Sequence, residues 1–335
     1  MPTGFTPYSS TFVSAEDGWV LGSAPCANAH CGSVARTTDG GKTWKGIPAP
    51  KASVRTVWSL KAGDVSILRF ADRSNGWAAG RGMYATHNGG ATWRRVFVGP
   101  STGTVLSLET GGGWVYALIQ GCPPSGDGAC PKSSRVYAAR AGSDSWTAVS
   151  PSLPTSENAQ MLVVHGSTWY LATTAGIRRA SGASAPTTLP TPCRAVGGER
   201  ATALIAVADT QHLDAVCVDA GGAGGSTGIQ LYGSTDAGRS WRKAGGRHRV
   251  ASNLTGVADN GHGVLLIAAA SGTSVILRST DDGRSLPQAK VSVPSGGFPW
   301  ADLGFTTSSQ ATVTLPGHGL YLSRDAGRSW ARISF

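Results

Sequence analysis

Thr37-Thr38-Asp39-Gly40-Gly41-Lys42-Thr43-Trp44 (TTDGGKTW) decides how this chain folds, because it comes back. Its order is hydroxyl residue, any residue, acid or amide, any residue, glycine, any residue, hydroxyl residue, aromatic. That order recurs at 86–93 (THNGGATW), 234–241 (STDAGRSW) and 323–330 (SRDAGRSW), and at 279–286 (STDDGRSL) with leucine in the aromatic position. Each copy reads as a tight turn between two strands. The side chains of Asp39, Asn88, Asp236, Asp281 and Asp325 accept hydrogen bonds from backbone N–H groups one or two residues on. Gly41, Gly90, Gly238, Gly283 and Gly327 suit a left-handed backbone that a Cβ would resist. The closing Trp folds back over the turn. With the carboxylates consumed by their own turns, the role expected of them is structural.

The copies, with the degenerate landmarks Trp146 and Leu189 filling the gaps, recur every 43–53 residues, the signature of a stacked or circular array. A second register agrees: Phe12, Phe70, Leu108, Val164, Val207, Val257 and Phe305 each end a short apolar run before a Gly- or Asp-rich turn, as innermost strands would. The segments 77–80, 114–119, 169–173, 215–218 and 264–270 read as second strands. Apolar periodicity is close to two, 47 of the 335 residues are glycine, and no helix of any length is expected. The architecture predicted is all-β: a seven-bladed β-propeller of four-stranded antiparallel blades, with the octapeptide between strands three and four. Residues 10–335 form this one domain, and residues 1–9 are a tail or a closure strand.

The octapeptide resembles the Asp-box, or BNR, repeat of β-propeller proteins. Gly18–Gly22 (GWVLG) and Gly76–Gly80 (GWAAG), one before each of the first two boxes, are similar to the strand that precedes the box in photosynthetic assembly factors and their bacterial relatives. The resemblance covers almost the whole chain and implies the fold. It implies no single activity, since the box also decorates sialidases, xyloglucanases and sorting receptors.

Six cysteines pair most naturally in sequence order, Cys26 with Cys31, Cys122 with Cys130 and Cys193 with Cys217. An even count in loops points to disulfides and an extracytoplasmic compartment: secreted, periplasmic or envelope-attached, with the signal sequence absent from this chain. A zinc site on Cys26, His30 and Cys31 is the rival reading, and it lacks the second ligand pair such sites use. No metal and no cofactor is expected. No apolar run is long enough to cross a bilayer, which leaves a lost lipoprotein anchor as the route to membrane association. Net charge is +10, from 29 basic and 19 acidic residues. That surplus favours an acidic protein or an anionic polymer or glycan as partner. Nucleic acid is disfavoured, for no aromatic-basic recognition motif is present. A monomer is what the resemblance implies.

In a propeller the turns between strands one and two and between three and four share one face, so the octapeptides mark the bottom. The opposite, top face collects the longer loops, and with them the candidate binding residues. These are Arg55, Trp58, Arg81, Arg194, Arg200, the run Arg247-His248-Arg249, Trp300 and His318, with Arg69 facing the central channel. Trp and Arg are the residue types that most often dominate binding energy. The reading reached is a non-catalytic, exported binding or assembly propeller whose basic top face engages an acidic partner. The alternative is a carbohydrate-active enzyme, a glycoside hydrolase or lyase, with acids drawn from Asp64, Glu157, Glu199 and Asp302. Such an enzyme requires two carboxyl groups about 5–10 Å apart. Sialidase chemistry is disfavoured, because the R-I-P motif is missing from the chain.

Overall fold

Runs rich in β-branched and aromatic residues become strands, and glycine-containing turns divide them. The computed structural model describes residues 3–335 apart from 28, 122–133, 155–156, 194–201, 219–226, 251–252, 271–272 and 295–299. The expected Cys122–Cys130 bond and the candidates Arg194, Glu199 and Arg200 lie outside the described residues.

The strands group into seven sheets of four, each in chain order and antiparallel throughout. The innermost strands are Thr6–Phe12, Val65–Phe70, Thr104–Gly111, Ala159–His165, Thr202–Val207, Asn253–Asp259 and Ala301–Phe305. Each of them neighbours the next, and the last neighbours the first, so they form a closed ring. The chain is a seven-bladed propeller. Helix is confined, among the described residues, to one 3-10 turn at Val57–Ser59.

Because both faces of every blade are covered by its neighbours, the apolar core divides into seven clusters, one per junction. Trp19, from the GWVLG strand, is fully buried and stacks on Phe70 of blade 2, ring centroids 4.0 Å apart. Trp77 fills the equivalent place between blades 2 and 3, while Trp169 of blade 4 enters the junction of blades 3 and 4 from the opposite side. The junction of blades 7 and 1 is the thinnest, with Val20, Ala35 and Leu320 as its fully buried members. Aromatic rings supplement it: Phe335 packs on Phe5 at 4.8 Å and on Trp44 at 5.3 Å. Among the described residues no strand is exchanged between the first and last blades, so closure rests on these side chains and a few hydrogen bonds, among them Gly317 N–H to the Pro7 carbonyl at 2.8 Å.

The octapeptide turns are held by side chains in a fixed pattern. In the first, the Thr37 hydroxyl donates to Asp39 Oδ1 (2.8 Å) and accepts from Gly41 N–H (2.9 Å). Asp39 Oδ1 accepts from Thr43 N–H (2.9 Å). The donor to the acid is therefore four residues on, further than an Asx turn reaches. The same bonds recur at Asn88, Asp236, Asp281 and Asp325. Hydroxyl bonds from Ser240 and Ser285 bring Asp236 and Asp281 down to about 2.

These turns also wedge into the preceding blade. The left-handed glycines press on aliphatic side chains there: a Cβ on Gly283 would stand 2.4 Å from Leu231, and one on Gly327 2.5 Å from Leu266. Trp93 Nε1 donates to the Pro48 carbonyl (2.9 Å) and Trp241 Nε1 to the Pro190 carbonyl (3.0 Å), each at the exit of the preceding blade. Arg324 of blade 7 reaches the Gly40 carbonyl of blade 1, and Arg278 Nε of blade 6 donates to the Ala326 carbonyl of blade 7 (2.8 Å). The motif thus joins blades as well as turning the chain.

On the octapeptide face, Asp214 of blade 5 and Asp259 of blade 6 are hydrogen-bonded carboxyls. Burial raises both, and the charge of Asp259 helps push Asp214 up to about 8. The folded state thus holds a proton that the unfolded chain has released, so this pair's contribution is full below pH ~4 and is lost as pH rises towards ~8. The depressed carboxylates of the octapeptides act oppositely: their contribution is present above pH ~4 and lost on acidification. Melting temperature is expected to peak near pH 5. Asp214→Asn should match the wild type there and exceed it by several degrees at pH 8, measured by thermal melts across pH; equal melting curves at pH 8 would remove the shared proton from this account.

Candidate functional site

The strand period of two decides which side chains line the central channel. In Val65–Phe70, Leu68 and Phe70 enter the core between blades 1 and 2, so Arg69 between them faces the axis. In Thr104–Gly111, Leu108 is a core residue and Glu109 faces the axis. Asp302 starts the inner strand of blade 7 in a left-handed conformation, φ 52°. These three meet. Arg69 Nη1 lies 2.7 Å from Asp302 Oδ1, and its Nε and Nη2 each lie 3.3 Å from the Glu109 carboxylate. Arg69 also donates to the Leu68 carbonyl (2.9 Å), and Asp302 Oδ2 accepts from Ser10 N–H (2.8 Å). Burial opposes the Arg69 charge, but Asp302 and Glu109 outweigh it and its pKa stands above the ordinary arginine value. Burial raises that of Glu109, with Arg69 acting against the rise.

Arg69 and Asp302 form the floor of a cup of about 490 Å³ at the channel mouth, and Glu109 lies beneath it. Tyr8, Ile67, Leu106, Leu108 and Pro316 line its walls, and Trp58 stands on the rim. Below the floor the channel continues as a cavity of about 310 Å³. Glu109 went unnoticed in the sequence. Its signal was a carboxylate one place beyond Leu108, the one charged residue of the inner strand Thr104–Gly111.

The remaining candidates are distributed as follows. Asp64 pairs with Arg55 (2.9 Å) and accepts from Lys61 N–H (2.8 Å), tying down the connection between blades 1 and 2. Arg81 belongs to the same knot, its N–H donating to the Asp64 carbonyl (2.9 Å). Glu157 pairs with Arg178 at 2.8 Å, both largely buried. Asp64, Glu157 and Asp302 are thus each matched to an arginine, in three separate places.

The two tryptophans behave oppositely to one another. Trp58 is 78% exposed, on the 3-10 turn at the cup's rim. Trp300, expected to be exposed, is 3% exposed: its Nε1 donates to the Val275 carbonyl (3.1 Å) and its ring meets Tyr321 edge-on. Burial arises because it precedes the inner strand of blade 7 and packs between blades 6 and 7. His318 is exposed in the turn between strands two and three of blade 7, and its carbonyl accepts from Arg332 (2.7 Å). Arg247, His248 and Arg249, expected on a blade connection, belong instead to the outermost strand of blade 5, Arg242–Val250, paired with Gln230, Ile229 and Gly228. Their register continues the hairpin, so the strand runs on through the basic residues. The bonds Cys26–Cys31 and Cys193–Cys217 are present. Among the described residues no cluster of three or more His, Cys, Asp or Glu is placed to hold a metal ion, and no helix is long and apolar enough to cross a membrane.

No family model matches the chain, and neither does any curated protein. Solved structures do. In fold, the chain is similar to YCF48. The YCF48 structure from Cyanidioschyzon merolae aligns over 97% of this chain and 95% of that one, at 18% identity and a TM-score of 0.58. A structure of YCF48 bound to D1 peptide aligns equally well. An ancestral GH74 enzyme aligns over 96% of this chain and 44% of that one, at 13% identity and a TM-score of 0.56. Identities this low establish the shared propeller fold.

Proposed function

We propose that this chain is an extracytoplasmic, non-catalytic propeller that binds a peptide segment of a protein partner at the mouth of its central channel. The observation that carries the reading is an apolar cup whose rim presents Trp58 and whose floor carboxylate, Asp302, is bound with Glu109 by Arg69, while Asp64 and Glu157 are paired to Arg55 and Arg178 elsewhere. A glycosidase needs two carboxyl groups facing one bond, whereas an exposed aromatic beside an apolar cup is how a binding surface anchors a partner. The solved complex of YCF48 with a D1 peptide supports a peptide as the class of ligand for this fold. Two disulfides support an oxidising compartment. Acidic partners remain the favoured class on net charge, +10. The structure shifts where that preference would act, because Arg55, Arg69 and Arg178 on the top face are all paired to carboxylates.

Trp58→Ala should leave the melting temperature unchanged, the side chain being exposed. It should cut capture of the partner from an envelope fraction at least about tenfold, roughly 1.4 kcal/mol. Equal capture by both proteins would reject the cup as the site. Cleavage of xyloglucan or another β-glucan by the purified protein, abolished by Asp302→Asn, would replace the binding reading with the enzymatic one.

A further inference from the structure

Blade 4 breaks the octapeptide pattern at a definable residue. Ser181 closes its third strand opposite Thr168, the first residue of its second strand, as Thr37 stands opposite Gly18 in blade 1. Two places on, where the octapeptides carry their acid, blade 4 has Ala183. The turn Ser181-Gly182-Ala183-Ser184 therefore holds no carboxylate, and it rests on Trp114 of blade 3: a Cβ on Gly182 would stand 2.9 Å from the indole. Arg140 lies over the Trp114 ring, its guanidinium carbon 4.1 Å from the centroid. Arg140 is exposed, and among the described residues no carboxylate pairs with it. Asp144, in its own turn, is directed to Arg94 and His87 of blade 2. Ring, guanidinium and turn surround an open notch of about 390 Å³ on the octapeptide face. Ser167 completes it, fixed by the Tyr116 hydroxyl (2.7 Å) and Gly182 N–H (2.8 Å), which both donate to its carbonyl. The Ser181 hydroxyl is bonded to that of Thr168 (2.7 Å). Those of Ser167 and Ser184 are on exposed residues and have no partner among the described residues.

We propose that this notch binds a tetrahedral oxyanion, a phosphate or sulfate group. Stacking engages the plane of the Arg140 guanidinium and leaves its N–H edge outward, the edge that grips oxyanions with paired hydrogen bonds. Held on the ring, the side chain has less freedom to lose when a ligand arrives. The hydroxyls of Ser167 and Ser184 come from two further turns. An oxyanion with acceptors on every side uses donors from several directions, which a planar carboxylate does less fully. The octapeptides place an ionised acid in this part of their turns, and Ala183 leaves the charge of Arg140 unopposed. Degeneracy of the repeat in blade 4 thus creates the site. It is separate from the cup and does not depend on it.

The test titrates the intact protein calorimetrically, at fixed ionic strength, with inorganic phosphate, inorganic sulfate and glycerol phosphate, and with glycerol as the neutral control. Expected is saturable binding of at least one anion with a Kd of about 1 mM or tighter, weakened at least about tenfold by Arg140→Gln. Arg140→Lys, which keeps the charge and loses the fork, should also weaken it. Ala183→Asp restores the acid of the octapeptide and should abolish binding with no fall in melting temperature, so the test does not rest on Arg140 variants alone. Arg239→Gln, at an octapeptide of blade 5, should bind as the wild type does. The order of affinity between phosphate and glycerol phosphate tells a free ion from an ester, and either order supports the site. A Kd above about 1 mM for every anion, or unchanged binding in Ala183→Asp and Arg140→Gln, would overturn the proposal. An equal loss in Arg239→Gln would replace it with diffuse attraction to a basic protein.

Discussion

Arg69→Met is expected to cost about 3–5 kcal/mol of stability, the usual penalty for breaking a buried ion pair by removing one partner. The guanidinium neutralises two carboxylates that reach it from sequence positions 109 and 302, so its loss leaves Asp302 and Glu109 facing each other across the channel. For a chain of this size the drop in melting temperature should be roughly 4–7 °C. The loss should shrink on acidification, because Glu109, whose pKa burial raises, can neutralise by taking up a proton. A triple variant of Arg69→Met, Glu109→Gln and Asp302→Asn should recover to within about 1–2 kcal/mol of wild type, since the penalty lies in the orphaned charges. If the triple variant melts as low as the single one, then Arg69 contributes through packing of its stem rather than its charge.

The second large effect is expected at a turn glycine. Gly283→Ala introduces two costs: a non-glycine residue at φ 78°, and a Cβ placed 2.4 Å from Leu231 of the preceding blade. The backbone part is about 1–2 kcal/mol and overpacking adds about 1–3 kcal/mol. Gly263→Ala separates them, because Gly263 has nearly the same φ, 80°, and nothing within 4 Å of the new Cβ. It should cost only the backbone part. The difference between the two variants measures the wedge between blades 5 and 6, and Leu231→Ala combined with Gly283→Ala should show coupling between the pair. Equal costs at both glycines would mean that the octapeptide turns the chain without joining the blades.

The fold was legible because the turn needs particular chemistry at fixed offsets. A hydroxyl at the first position, an acid two residues on and a glycine two further are all required by hydrogen bonds local to the turn. Even the copy with Leu286 keeps them. Blades 3 and 4 lack the octapeptide and were placed through Trp146, Leu189 and the inner-strand register. The site was less legible for a corresponding reason: its bonds are not local. Arg69 was expected at the channel, but its partner Asp302 lies on the far blade, and Glu109 resembles any polar residue in a strand. Trp58 and Trp300 carry similar local sequence signals. The difference between them, an exposed rim and a sealed junction, is set by neighbouring blades that no short window contains.

Closure of the ring without an exchanged strand has a topological consequence. Every blade is built from four consecutive strands, and the seam between the last and first blades is likewise made by packed side chains and turn contacts, more loosely at Gly41, whose Cβ would stand 3.8 Å from Leu322 and Ile333, than at Gly283. No junction is privileged by covalent lacing. Phe5 and Phe335 are 4.8 Å apart, so linking the ends and cutting any blade connection would yield a circular permutant with the same seven interfaces. The molecule is best regarded as a cyclic polymer of one module, in which the order of the blades around the axis matters and the point where the chain starts does not.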